Sequence, residues 1–200
     1  MHPNDDLLSA PELDYEGFRA ALREDWGCFS PAREFVSKVR ARRVFGLVAL
    51  DLTCNAARVE RTKLDVRRDD MEYYFVVAQL TGGSTIIQND RVVNAAAGEL
   101  VLLDSTRPVK FAGVHQAQWL GLQLPRQNLV SHLGFEPQGG TCGRGQGQAA
   151  RILSQLALDP VGNVEPAVAS ADDYMRLVVY HLLGALFASP AQSMAPTPSY

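Results

Sequence analysis

Four histidines, three cysteines and one carboxylate cluster are the residues of this 200-residue chain whose types could do chemistry. A metal site needs several convergent ligands. His2, His115, His132 and His181 are scattered, and the β-patterned region contains His115 alone. His115 reads as a rim residue, and His181 as a packed residue of a long helix. Cys28, Cys54 and Cys142 are odd in number and contain no C-x-x-C, which argues against a disulfide framework and against zinc. Asp69, Asp70 and Glu72 stand just before a strand, where such a cluster reads as a solvated turn rather than an acid/base pair. No G-x-S-x-G is present, and Gly82-Gly83-Ser84-Thr85 reads as a hairpin turn. Gly140, Gly143, Gly145 and Gly147 follow no strand and lack the G-K-[ST] ending of a phosphate loop. An enzyme's constellation is missing, and neither a metal nor a cofactor is expected.

The charges point elsewhere. The formal net charge is −3, without the basic excess that releases counterions from nucleic acid. Any DNA binding is therefore expected from another segment. Arginine far outnumbers lysine, which occurs only as Lys38, Lys63 and Lys110. The excess reads either as genome composition or as guanidinium forks for a carboxylate. The amino terminus lacks the apolar stretch of a signal peptide, and no apolar run approaches a membrane span. A cytoplasmic protein with reduced thiols is expected.

The elements that must position these groups follow from periodicity. Residues 1–34 read as a loose arm with a short amphipathic helix over 15–25, carrying Tyr15, Phe18, Leu22 and Trp26. Residues 35–125 alternate with period two, and turn signals recur every eight to twelve residues. Strands are expected at 35–42, 44–52, 56–62, 72–80, 84–88, 91–95, 99–103, 108–112 and 117–124. Asn89-Asp90 fits a two-residue hairpin. Residues 126–188 turn helical, with helices at 126–133, 147–158 and 170–188 and a mobile glycine-rich loop at 136–147. On the last helix Met175, Val178, Val179, Leu182, Leu183 and Leu186 form one apolar face, and Tyr174, Leu177 and Tyr180 widen it. This excess of apolar surface predicts a homodimer through that face. Residues 189–200 read as a linker toward an absent domain. The expected fold is mostly β with α: an antiparallel β-barrel followed by a helical dimerisation segment.

A series of motifs carries a resemblance. They are Ala57-Arg58-Val59-Glu60-Arg61-Thr62, the run from Tyr73 to Gly83, Gln88-Asn89-Asp90-Arg91, and Ala97-Gly98-Glu99 through Asp104-Ser105-Thr106-Arg107-Pro108 to Phe111. Over about 35–188 the chain resembles the amino-terminal, cupin-like ligand-binding domain of AraC-type transcription regulators, nearest the subgroup that controls breakdown of aromatic acids and amines. Ala97-Gly98-Glu99 stands where the family has Pro-Gly-Asp. The resemblance implies a small-molecule effector, a homodimer, and two helix-turn-helix motifs outside this chain that bind DNA.

A sensing barrel needs an apolar cavity with a few polar groups. Strand parity puts Tyr73, Phe75, Val77 and Gln79 on one face, and Gln118, Leu120 and Leu122 on one face of another strand. Both faces are expected to line the cavity, while Trp119 packs under the helices. By the resemblance, Phe111 aligns with a position whose ring packs on the effector. Arg40 and Arg42 share a face near the expected mouth and could hold a carboxylate. The expected effector is one aromatic ring with a short polar substituent, and an acid. Two other readings stand beside this one: a metal-independent cupin isomerase or epimerase, and a dimerisation module with a filled barrel.

Overall fold

The computed structural model describes residues 11–23, 27, 30–31, 37–55, 58–69, 71–113, 117–143, 147–158 and 169–188. The readings of His2, His115, Trp26, Cys28 and the 189–200 linker lie outside them. The strands are β1 (Ser30–Pro31), β2 (Ser37–Val44), β3 (Leu47–Cys54), β4 (Arg58–Arg61), β5 (Tyr73–Thr81), β6 (Gly83–Gln88), β7 (Arg91–Ala96), β8 (Leu100–Asp104), β9 (Val109–Gly113), β10 (Ala117–Pro125) and β11 (Thr141–Gly143). The helices are α1 (Tyr15–Arg23), α2 (Lys63–Asp69), α3 (Arg126–Leu133), α4 (Gln148–Leu158) and α5 (Ala169–Phe187).

Local chemistry sets these boundaries. The Asp14 carboxylate accepts the Gly17 amide at 2.9 Å and caps α1. Asn89 and Asp90 both adopt positive φ, 54° and 59°, as the tight β6–β7 hairpin requires. The β2–β3 turn is also left-handed, with φ 52° at Phe45 and 75° at Gly46, so the first hairpin turns two residues later than the sequence suggests. Gly134, at φ 73°, ends α3 by returning its amide to the Val130 carbonyl.

The expected barrel takes the form of two facing antiparallel sheets. One runs β1-β4-β9-β6-β7 and the other β11-β8-β5-β10-β3-β2. One core layer lies between the sheets, built around Phe75, Val77, Phe111 and Trp119. A second layer, with Tyr74, Val76, Leu120, Leu122, Val179 and Leu183, lies between the six-stranded sheet and α3–α5. Strands β5, β8 and β10 are thus buried on both faces, which is why they read as apolar runs rather than alternations.

Two segments correct the sequence reading. Residues 63–69 are helical rather than a turn before a strand. Thr62 and Asp65 cap each other reciprocally there, since Asp65 Oδ2 accepts the Thr62 amide at 2.9 Å and Thr62 Oγ1 accepts the Asp65 amide at 3.3 Å. The segment 136–147 is not simply a mobile loop: Thr141–Gly143 adds a strand to the edge of β8. Its glycines serve close packing, because a Cβ on Gly139 would sit 2.3 Å from Gln88 Oε1 and one on Gly143 3.1 Å from the Phe187 ring.

Candidate functional site

The inner layer is incompletely filled. Leu50 and Leu52 of β3, Phe75 and Val77 of β5, Phe111 of β9 and Trp119 of β10 surround a void of about 50 Å³. Gly121, two residues beyond Trp119, leaves room on the same face. The Phe111 and Trp119 rings meet edge to face, with centroids 6.0 Å apart. From α1, Phe18 and Leu22 reach the same void and are 0 % and 3 % exposed. They stand four residues apart on one helical face, so both reach the sheets together.

Polar groups at this site are already matched. The Trp119 indole N–H donates to Gln79 Oε1 at 2.6 Å, and the Ser84 hydroxyl donates to the same oxygen at 2.7 Å. The Gln79 amide nitrogen donates to the Thr81 carbonyl at 2.6 Å. A buried amide needs such partners. Among the described residues, no ionisable side chain lines the void. Its chemistry is therefore that of an apolar, aromatic-walled pocket. Among the described residues, no three His, Cys, Asp or Glu side chains converge in a way that could hold a metal ion. A separate polar groove carries Arg91, Asp104, Arg107, Arg126 and Glu136, and Arg126 pairs there with both carboxylates. Arg126 bonds Asp104 at 2.7 Å and also reaches Glu136, while its guanidinium stacks 4.7 Å from the centre of the Tyr74 ring. Burial pushes the Tyr74 hydroxyl up to about 12, so it stays protonated and donates to the Pro137 carbonyl at 3.0 Å.

Residues 24–183 match the family of AraC-binding-like domains. The chain belongs to that family. The AraC-binding-like domain is also similar in structure to the AraC-like transcriptional activator CuxR, at 17 % identity and a TM-score of 0.69 over 90 % of this chain and 70 % of that one. Its cupin-like fold has partial counterparts in the EutQ protein of Clostridium difficile (16 % identity, TM-score 0.38, 46 % of this chain and 71 % of that one) and in a cupin domain of an XRE family regulator from Enterobacter cloacae (9 % identity, TM-score 0.37, 44 % and 95 %).

The AraC-binding-like domain brings only part of the expected site together. Phe75 and Phe111 line the void. Gln79 lies on the same face of β5, held by Trp119. Tyr73 continues that face, packs on the inner cluster and opens onto a separate groove beside Arg43 and Gln123. Arg40, Arg42, Gln118 and Leu120 do not face the void. Arg40 pairs in register with Asp51 and Arg42 with Ala49, on the face of β2–β3 turned to the helices. Arg42 Nε bonds Asp51 Oδ2 at 3.0 Å, and its NH2 group reaches the Ala157 carbonyl in the last turn of α4. Arg42 thus braces sheet against helix instead of guarding a mouth. Leu120 packs beneath α4 beside Leu153 and Ala157. Gln118 sits across from Thr53 with the parity of Leu120.

The error is one of direction. On a strand buried on both faces, parity says which residues share a side but not which side is inward. Trp119, expected under the helices, points inward instead, across from Gln79 and Leu52. The missed lining residues are Phe18, Leu22, Leu50, Leu52, Val59, Leu103, Trp119 and Gly121. The legible signal was the Trp119–Gly121 pair, a large ring beside a missing side chain on one face.

The helical face predicted for dimerisation is also divided. Val179 and Leu183 are 1 % exposed and packed against the sheet, and Leu182 and Leu186 are half-buried beside them. Met175 is half-buried, and Val178 alone of the six is exposed, at 40 %. The exposed stripe runs instead through Tyr174, Leu177, Val178 and His181.

His132 and His181 meet edge to face at 4.4 Å between α3 and α5. Burial, and then the neighbouring His181, hold the His132 pKa below its ordinary 6.5. Folded protein then binds fewer protons here than unfolded protein, so stability rises with pH through this window and is lost as pH falls. The urea midpoint of the domain should drop between about pH 7.5 and about pH 5.5, and His132→Gln should shrink that drop. An unchanged pH dependence in the variant would remove His132 from the account.

Proposed function

We propose that this domain is the effector-sensing part of an AraC-type transcription regulator of the cytoplasm and has no catalytic role. A small ring-bearing hydrophobic molecule binds between the two sheets. DNA is bound by helix-turn-helix elements elsewhere in the regulator, and two copies pair through the exposed stripe of α5. Support comes chiefly from the apolar, aromatic-walled void, in a family of regulator domains. The subgroup resemblance adds control of genes for breakdown of aromatic compounds. Among the described residues a carboxylate finds no partner at this site, because Arg40 and Arg42 lie on the far face.

The small size of the void favours a second reading, a dimerisation module whose sheets are simply filled. A thermal-shift panel of neutral ring compounds, ring carboxylates and sugars separates the two. A true effector at about a hundred times its Kd adds about 2.7 kcal/mol, which raises Tm by about 5–10 °C in a domain of this size. Val77→Phe, which fills the void, should abolish the shift. No shift from any ring compound would leave the filled module standing.

A further inference from the structure

We infer that Phe18 and Leu22 of α1 are a built-in occupant of the effector's space, and that the molecule displacing them is an uncharged, apolar ring compound. This rests on the proposed sensing role and names its ligand class. The remaining void, about 50 Å³, is too small for a ring, given that a known cavity holding benzene measures about 150 Å³. Phe18 and Leu22 supply the missing volume, since both are sealed from solvent and line that void.

The helix carrying them can leave. Its Glu16, Ala20, Ala21 and Arg23 are exposed. Just before it, the chain is tied to β2 through one bridge, in which Leu13 and Ser37 exchange backbone hydrogen bonds of 2.7 and 3.3 Å. Departure of α1 would open the space held by Phe18 and Leu22 and break that backbone bridge. What it vacates is apolar. The described residues lining that space include no cation, and Gln79, Ser84 and Trp119 have already satisfied one another. Among those residues a carboxylate would be desolvated without a partner, whereas a neutral ring replaces the Phe18 ring in kind.

Toluene and benzoate differ only in the group at issue, and calorimetry on the wild-type chain, Phe18→Ala and Leu22→Ala tests both parts. Emptying the mouth removes the competition, so either variant should bind toluene about tenfold tighter than wild type while benzoate binds none of the three. Circular dichroism confirms that each variant is folded, and Leu22→Ala serves if Phe18→Ala is not. Equal toluene affinity in wild type and variants would overturn the built-in occupant. Benzoate binding that Val77→Phe abolishes would overturn the neutral class and leave the sensing cavity intact. Binding of neither compound by any folded variant would overturn the sensing cavity itself.

Discussion

Asp69→Ala should destabilise the domain by about 3–5 kcal/mol, the cost of leaving a buried charge without its partner. The Arg61 side chain is 1 % exposed and that of Asp69 12 %. Arg61 NH2 bonds Asp69 Oδ1 at 2.6 Å, NH1 reaches Oδ2, and Nε donates to the Ser105 carbonyl at 3.0 Å. The pair ties β4 to the end of α2 and to the turn after β8. It also packs against Gly27, where a Cβ would sit 2.5 Å from Asp69 Oδ2. Asp69→Ala removes the anion and leaves the buried guanidinium without that countercharge. Arg61→Met with Asp69→Ala removes both charges, and should cost less than Asp69→Ala alone. Urea unfolding of the three proteins measures this, and a loss under about 1 kcal/mol for Asp69→Ala would show the pair to be dispensable. Asp69 was read from sequence as part of a solvated turn. That reading fails because its partner lies eight residues back on β4, and spacing along the chain carries no sign of the contact.

Leu183→Asp and Leu177→Asp should behave oppositely although they lie on one helix. Leu183 is 1 % exposed in the layer between the sheet and α5, so an aspartate there loses the leucine packing and buries an unpaired charge. The expected loss is about 4 kcal/mol or more, enough to melt α5 from the sheet. Leu177 is 43 % exposed, and the same change should alter monomer stability by no more than about 0.5 kcal/mol. Its effect should fall on assembly, because a like charge is placed on both copies of a two-fold contact. Sedimentation at several concentrations, with parallel urea melts, reads both quantities. A stable Leu183→Asp protein would contradict the packing described for α5. Unchanged assembly in Leu177→Asp would move the proposed dimer contact off this stripe.

Much of the fold was legible because its signals are local. The Asn89-Asp90 hairpin, the nine main strands within a few residues, and the four amphipathic or apolar helices all follow from turn chemistry and period. The Thr62–Asp65 cap was also written in the sequence, since it is a Thr-x-x-acid pattern, yet residues 56–62 read as one strand hid it. The glycines of 139–143 misled for a different reason. Their function is close approach to Gln88 and Phe187, which only the assembled sheets reveal. The site was half legible. Tyr73, Phe75 and Gln79 share a face as read, but the inward side of β10 depends on which layer each face meets. A register shift between Gln118 and Trp119 further loosens the link between parity and direction. Arg42 shows the same limit: its charge suggested a ligand partner, whereas tertiary structure supplies Asp51 and a helix carbonyl.

The central claim is that a small hydrophobic molecule binds between the two sheets, and the Trp119 indole N–H reports on that space directly. It forms one wall of the void while bonded to Gln79. In nitrogen-15-labelled protein the Trp119 indole signal, assigned with Trp119→Phe, is followed as toluene is titrated. The account predicts a saturable shift of that signal, absent in Val77→Phe. Saturable binding that leaves the Trp119 signal unmoved would place the ligand elsewhere and contradict it.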